Sequence, residues 1–388
     1  MPVLRQVSGV SSVKGVQFMI RVWLAFFAVM TAMFGVYFAY QNHTISVPTG
    51  YRGTGQFVLY TPDAIPASVA LNAIPEADPI DPPDPSLPKV SEEYENVQVL
   101  NDLTVLEFSR LMGALSTWVA PEQGCEYCHN TENMASDEKY TKHVARMMLK
   151  MTRRINNEWK SHVGETGVTC WTCHRGQPVP SGDWYTTAQT ELPPMLGNKD
   201  NQGKPGVANV AHSSLPYDPL SKYLIEDNGI RVQGIVPLAG SNPYPDTGVK
   251  KAEMTYALMM YMSKSLGVNC TYCHSTRAFG SWENSSPQRA TAWYGIRMVR
   301  DLNTTYLQPV ADLLPDYRLG EHGDGPKVGC ATCHKGAYKP LFGKSMKPDY
   351  EELWRTGGPQ INTGYVSPPA VEVNNPVIPP ESLVNGSY

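Results

Sequence analysis

All eight cysteines of this 388-residue chain fall inside four copies of Cys-x-x-Cys-His, with none left over. The copies are Cys125, Cys128 and His129; Cys170, Cys173 and His174; Cys270, Cys273 and His274; and Cys330, Cys333 and His334. Two thiols at this spacing can add across the two vinyl groups of a haem while the adjacent histidine reaches the iron as proximal ligand. A zinc site or a redox dithiol needs no histidine at a fixed place after each pair. A secreted disulfide framework would scatter its cysteines. The pattern therefore points to four covalently bound c-type haems, one per motif.

The motifs come in two types, and the types alternate. Motifs one and three read Cys-x-Tyr-Cys-His followed by Asn130-Thr131 or Ser275-Thr276. Motifs two and four read Cys-x-Thr-Cys-His, with Thr172 and Thr332, followed by Arg175-Gly176 or Lys335-Gly336. Such self-similarity implies duplicated two-haem units.

The second axial ligand decides between electron transfer and catalysis, because a saturated haem passes electrons whereas an open one binds substrate. Before motif one, residues 103–119 are periodic and largely apolar, hence helical, and Met112 is their sole methionine. Before motif three, residues 252–266 read the same way, and Leu258-Met259-x-x-x-Ser263 repeats Leu111-Met112-x-x-x-Ser116. The repeat selects Met259 over Met254, Met260 and Met262, although core packing is the commoner fate of a helical methionine. Motif two is preceded by a helix over about residues 137–159 that offers Met147, Met148 and Met151. Aligning Arg146-Met147-Met148 with Arg297-Met298-Val299 leaves the second half without a counterpart to Met148. Motif four then needs another donor. Of nine histidines four are proximal and His43 adjoins the apolar segment, so His143, His162, His212 and His322 are eligible.

The elements that must carry these residues are mainly α-helical. Val22 to Tyr40 is a 19-residue run without charge, enough at about 1.5 Å per residue to cross a ~30 Å hydrocarbon core. Arg5, Lys14 and Arg21 precede it and no Lys or Arg follows until Arg52, which places the N-terminus in the cytoplasm and the bulk outside. The run is longer than a usual signal core and no small-x-small site follows it, so it is expected to be retained. Prolines punctuate residues 41–90 and 357–388, forbidding long helices. Each segment is either a spacer or a strap along a partner.

The expected organisation is a cytoplasmic N-terminus (1–18), a transmembrane helix (19–41), an extended Pro-rich arm (42–95), a first two-haem unit (96–192), a connector (193–248), a second two-haem unit (249–345) and a Pro-rich tail (346–388). The net charge of −4 argues against nonspecific nucleic-acid binding. No proton-transfer centre, hydrolytic metal site or phosphate loop is found, so one-electron transfer is the expected chemistry, with the chain supplying spacing and ligation.

On these motifs, the helix-borne methionines and the early Gly50-Tyr51-Arg52-Gly53-Thr54-Gly55 run, the chain resembles the tetrahaem cytochrome subunit of photosynthetic reaction centres from purple and related bacteria, from about Tyr51 to Tyr350. The resemblance implies the axial pairs His129 with Met112, His174 with Met148, His274 with Met259, and His334 with His162. It also implies re-reduction of a photo-oxidised special pair by electrons from a soluble periplasmic cytochrome c or other small redox protein. The Cys270/Cys273 haem would lie nearest the special pair, followed by the fourth, second and first. Implied partners are the reaction-centre core and the surrounding light-harvesting ring, in an inner photosynthetic membrane. Many relatives use a lipid-modified N-terminal cysteine, and here the apolar helix stands in its place. Two rival readings are a membrane-anchored quinol-oxidising cytochrome, which would be shorter and richer in histidine ligands, and a haem enzyme, which needs an open iron.

Overall fold

A computed structural model of the chain describes residues 10–39, 44–48, 57–79, 84, 86–186, 215–216, 218–230, 232 and 248–356. The Gly50 to Gly55 run, His43, His212, most of the connector and residues 357–388 lie outside the described residues. The first helix, α1 (Val10–Ala39), has 30 residues. Its 25-residue stretch Gly15–Ala39 is long and apolar enough to cross a membrane. Large side chains such as Trp23, Phe26, Phe27, Phe34 and Phe38 are exposed along it, the surface of a helix made for lipid. Residues 1–45 and 59–62 cluster as one unit, and the remaining residues form another.

Two short strands, β1 (Ile45–Pro48) and β2 (Phe57–Tyr60), form a two-stranded sheet. The helices that follow are α2 (Ala64–Leu71), α3 (Val90–Glu93), α4 (Val105–Val119), α5 (Tyr140–Glu158), α6 (Lys160–Val163), α7 (Cys170–His174), α8 (Pro219–Leu224), α9 (Val249–Leu266), α10 (Pro287–Leu302), α11 (Gln308–Ala311) and α12 (Cys330–His334). The chain is mostly helical. Its long helices start for visible reasons. At α4 the Thr104 side chain accepts from the Glu107 N–H while the Glu107 carboxylate accepts from the Thr104 N–H at 2.8 Å, a reciprocal cap. At α10 Pro287 occupies the first turn, where no N–H is needed.

Two apolar clusters hold the larger unit, and neither respects the expected linear boundaries. One joins Ile155 and Trp159 of the first half to Tyr261, Ile296 and Val299 of the second, with Leu220, Tyr223 and Leu224 of α8 between them. The connector therefore supplies core. The other joins Leu103, Leu111 and Trp118 to Val90 and to Leu341, Met346, Tyr350 and Leu353, so the segment expected as a tail begins inside the fold. The segment expected as an extended arm also differs. It contains α2, which tolerates Pro66 because the missing N–H falls in the first turn. Beyond it, the Asp78 carbonyl accepts from Arg110 at 3.0 Å and the Ala73 carbonyl from Trp171 Nε1 at 2.9 Å.

Buried charges tie the halves together. Arg153 is 6 % exposed and makes a two-pronged pair with Asp102 at 2.8 and 3.0 Å, with the Val99 and Glu352 carbonyls accepting from the same guanidinium. Arg154 reaches Asp301 of α10 at 3.1 Å, and the same carboxylate accepts from Trp159 Nε1 at 3.1 Å.

Candidate haem centres

The two motif types fold as two kinds of turn. Motifs two and four are the one-turn helices α7 and α12, and each begins with a threonine reaching back: Thr172 Oγ1 accepts from the Thr169 N–H and Thr332 Oγ1 from the Gly329 N–H, both at 2.9 Å. Each ends in a pair of left-handed residues, Arg175-Gly176 and Lys335-Gly336, with φ of 50°, 78°, 48° and 80°. Glycine adopts that conformation without penalty, whereas Arg and Lys are strained there. Motifs one and three are shorter 3-10 turns, Gly124–Tyr127 and Cys270–Tyr272. Each is followed by a hydroxyl bond to the motif tyrosine's carbonyl, from Thr141 to Tyr127 and from Ser286 to Tyr272, both at 2.5 Å.

The proximal histidines share one arrangement. Nδ1 of His129 lies 3.1 Å from the Met134 carbonyl, His174 Nδ1 2.8 Å from Gln177, His274 Nδ1 2.9 Å from Phe279 and His334 Nδ1 2.9 Å from Ala337. A carbonyl only accepts, so Nδ1 carries the proton and Nε2 keeps its lone pair for a metal. The accepting carbonyl is five residues on in motifs one and three and three residues on in motifs two and four, which is the structural content of the two sequence types. Burial holds His174 and His274 below their ordinary pKa, and burial followed by the neighbouring His162 brings His334 down to about 4. Neutral imidazole is the form that ligates.

His162 follows the same rule although it lies in no motif. Its Nδ1 donates to the Thr291 carbonyl at 2.9 Å, and its ring centre stands 6.2 Å from that of His334. Two imidazoles sharing one metal from opposite sides, with bonds of about 2 Å, have ring centres about 6 Å apart. His143 is placed differently: its Nε2, rather than its Nδ1, donates to a backbone carbonyl, that of Asp137 at 2.9 Å, the reverse of the arrangement at His162. Met298, 7 % exposed, packs in the first apolar cluster.

The methionines sit on the expected helices. Met112 on α4 is partly buried, and one turn on, Ser116 Oγ bonds the Met112 carbonyl at 3.0 Å and lies 3.9 Å from Cys125 Sγ. Met148 on α5 has the same companion: Thr152 Oγ1 donates to the Met148 carbonyl at 2.9 Å, and the Thr152 side chain also bonds the Cys170 thiol. Met147 and Met151 pack against the first apolar cluster, whereas Met148 belongs to neither. Met148 to Thr152 is thus a third Met-x-x-x-[Ser/Thr] run, legible in the sequence beside those of Met112 and Met259. Met259 packs against the first cluster beside Met254 and Met262, and Met260 lies next to it on α9. The repeat in the sequence remains what singles Met259 out.

The helices that bear or precede the motifs link them in the order one, two, four, three. Motif two packs on α4, which also carries the turn of motif one; α7 packs on α12; and α12 packs on α9. The Gly176 N–H donates to Trp118 of α4 and the Gly336 N–H to Ser265 of α9, both at 2.8 Å. Each acceptor lies six residues after the methionine of its helix, Met112 or Met259. At the junction of motifs two and four the Cα atoms of Cys173 and Cys333 are 4.4 Å apart and their sulfurs pair as a disulfide. A sulfur that holds a thioether cannot join a disulfide, so this pairing is open only to the haem-free chain, and its bearing here is that the two motifs meet at these cysteines. Cys170, Cys273 and Cys330 are unlike the thiols of redox dithiols, whose pKa is lowered: burial pushes each of them up to about 12.

The same junction fits the anionic edge of a haem. Nε and Nη1 of Arg175 are buried without a hydrogen-bond partner among the described residues. Burial lowers Lys335 to about 8, with Arg175 adding its repulsion. Lys335 already donates to Ser181 at 3.0 and 2.8 Å and faces the Asp183 carboxylate, so the spare donors are those of Arg175, and a propionate would satisfy them.

Comparison with known proteins agrees with this chemistry. The family described as the photosynthetic reaction centre cytochrome C subunit matches residues 41–354. Photosynthetic reaction center cytochrome c subunits from Rubrivivax gelatinosus and Thermochromatium tepidum are 48% and 49% identical to the chain over 309 and 307 residues, covering 79% of this chain in each case and 83% and 74% of those proteins. The subunit from Roseobacter denitrificans is 41% identical over 337 residues, covering 81% of this chain and 87% of that protein. The chain thus belongs to the photosynthetic reaction centre cytochrome c subunits, membrane-associated electron-transfer components of the reaction centre that carry covalently bound haem and are not enzymes.

Proposed function

We propose that the chain carries four haems in two duplicated pairs and conducts electrons along them to the photo-oxidised special pair. The haems are held by Cys125 and Cys128, Cys170 and Cys173, Cys270 and Cys273, and Cys330 and Cys333. The axial pairs are His129 with Met112, His174 with Met148, His274 with Met259, and His334 with His162. The observation that carries this reading is the shared orientation of five histidines. His129, His162, His174, His274 and His334 each spend Nδ1 on a backbone carbonyl, which leaves Nε2 to ligate. When bound, the haems supply reversible one-electron chemistry. The chain's own part is to fix the ligands, exclude water and set neighbouring motifs side by side.

The contact order of motifs supports a conduction path running one, two, four, three, with motif three toward the reaction-centre core. A soluble periplasmic carrier, a cytochrome c or another small redox protein, would deliver electrons at the motif-one end. The helix α1 anchors the chain as a single span with its N-terminus cytoplasmic and the haem-bearing unit periplasmic. The surrounding light-harvesting ring is a further neighbour of the subunit. Two histidines on one iron give a lower potential than histidine with methionine, so the fourth haem is a low-potential step inside the path.

Flash-induced absorbance on native membranes tests the function. Rapid oxidation of this cytochrome after one actinic pulse is expected. No light response in membranes whose reaction centre is active would overturn the assignment and favour quinol oxidation.

A further inference from the structure

The helices α5 and α10 can be put in register by a contact that recurs in both halves. Asn156 accepts from the Val168 N–H at 2.8 Å and donates to the Val168 carbonyl at 2.9 Å. Asn303 does the same to Val328, at 2.9 and 3.0 Å. Val168 and Val328 each stand two residues before the first cysteine of motifs two and four. Three residues before each asparagine is an arginine that clamps a backbone carbonyl and an aspartate. Arg153 takes Val99 and Asp102, and Arg300 takes Tyr223 and Asp227. Asn156 and Asn303 are thus equivalent.

This register differs from the one the sequence suggested. Pairing Arg146-Met147-Met148 with Arg297-Met298-Val299 is one helical turn out. Counting back eight residues from each asparagine along unbroken helix, the partner of Met148 is Gly295. Gly295 is buried on α10, one turn after Thr291, whose carbonyl accepts from His162 Nδ1 at 2.9 Å. A Cβ built on Gly295 would fall 2.5 Å from His162 Cε1, 2.8 Å from Nδ1 and 3.1 Å from Nε2. No side chain fits there while the imidazole is present, because distances under about 3 Å between such atoms are overlaps.

We propose that Gly295 is the residue that decides the ligation of the fourth haem. It occupies the helical position from which Met148 serves the second haem, and its lack of a side chain admits His162 in place of a thioether. This inference rests on His162 being the ligand opposite His334.

Three variants of the full chain, purified in the reaction-centre complex and checked for four attached haems by pyridine haemochrome, separate the two claims. His162→Ala should remove the bis-histidine low-spin signature of one haem and leave three unchanged; no change in any haem overturns the ligation reading itself. Gly295→Ala, with His162 intact, should shift the potential and the low-spin electron paramagnetic resonance of that same haem alone. The double variant Gly295→Met with His162→Ala should restore six-coordinate low-spin iron with thioether ligation and a potential above that of the native fourth haem. If His162→Ala alters one haem but the double variant only reproduces the His162→Ala spectrum, Gly295 is not the vacated ligand position. If the double variant does not assemble, Gly295→Ala decides: an unshifted fourth haem overturns the proposal.

Discussion

At the scale of single residues, ligation turns on which ring nitrogen is free. His162 and His143 are both partly buried histidines in the first half, and neither sits in a motif. Their hydrogen bonds separate them. His162 donates from Nδ1 to Thr291, while His143 donates from Nε2 to Asp137, which also lies within reach of Lys142 and Arg146 at 3.4 and 2.9 Å. Replacing His143 with Ala should therefore leave all four haem spectra and potentials as they were, in contrast to His162→Ala. A potentiometric titration of the His143→Ala cytochrome checks this, and the loss of one low-potential haem would transfer the ligand role to His143. Nothing in the order of residues distinguishes the two histidines, because the carbonyl that orients His162 lies on α10, 129 residues away.

At the scale of elements, the ligand-bearing helices are held by buried or capped charges. Asp301 of α10 is the partner of Arg154, whose side chain is 4 % exposed, and of the Trp159 indole. Removing it takes the carboxylate of the other helix away from a buried cation that keeps Glu158 of its own helix at 3.1 Å. Asp301→Ala is expected to cost on the order of 3 kcal/mol, seen as a lower thermal midpoint with the haem spectra intact before unfolding. A midpoint within a degree of the native one would show that the pair contributes nothing. The cap of α4 gives a pH dependence. Burial raises Glu107, but the Arg355 guanidinium at 2.5 Å and the Thr104 N–H and hydroxyl outweigh it and bring the carboxyl from 4.5 to about 2. A lowered carboxylate stabilises the fold fully above its ordinary value, and that stability drains away as pH falls from 4.5 towards 2. Because α4 carries Met112, the band of the first haem should report the loss in an acid titration. Arg355→Ala should move the onset to higher pH, and an unmoved onset would assign the acid transition to other groups.

At the scale of the whole molecule, the four motifs are not strung out in chain order. The junction of motifs two and four brings Cys173 and Cys333 together with Arg175 and Lys335 beside them. Intact mass of the protein from native membranes should show four haem additions, and thiol alkylation under denaturing conditions should find no reactive cysteine before or after reduction. Two thiols released by a disulfide reductant would mean that Cys173 and Cys333 are paired and that motifs two and four each lack a thioether there.

Spacing alone made the haem motifs, their two types and the apolar helix α1 legible, because covalent attachment and membrane crossing are local demands on consecutive residues. The helices carrying Met112, Met148 and Met259 were legible too, since an amphipathic helix writes its period into the sequence. The tertiary structure decided what depends on distant carbonyls and on register. It brings His162 to 6.2 Å from His334 across 172 residues of chain. It draws the connector helix α8 and residues 346–353 into the core. It also makes Gly295 the counterpart of Met148, because the register of the two helices is fixed by the backbone that Asn156 and Asn303 grip, and not by the residues a linear alignment compares.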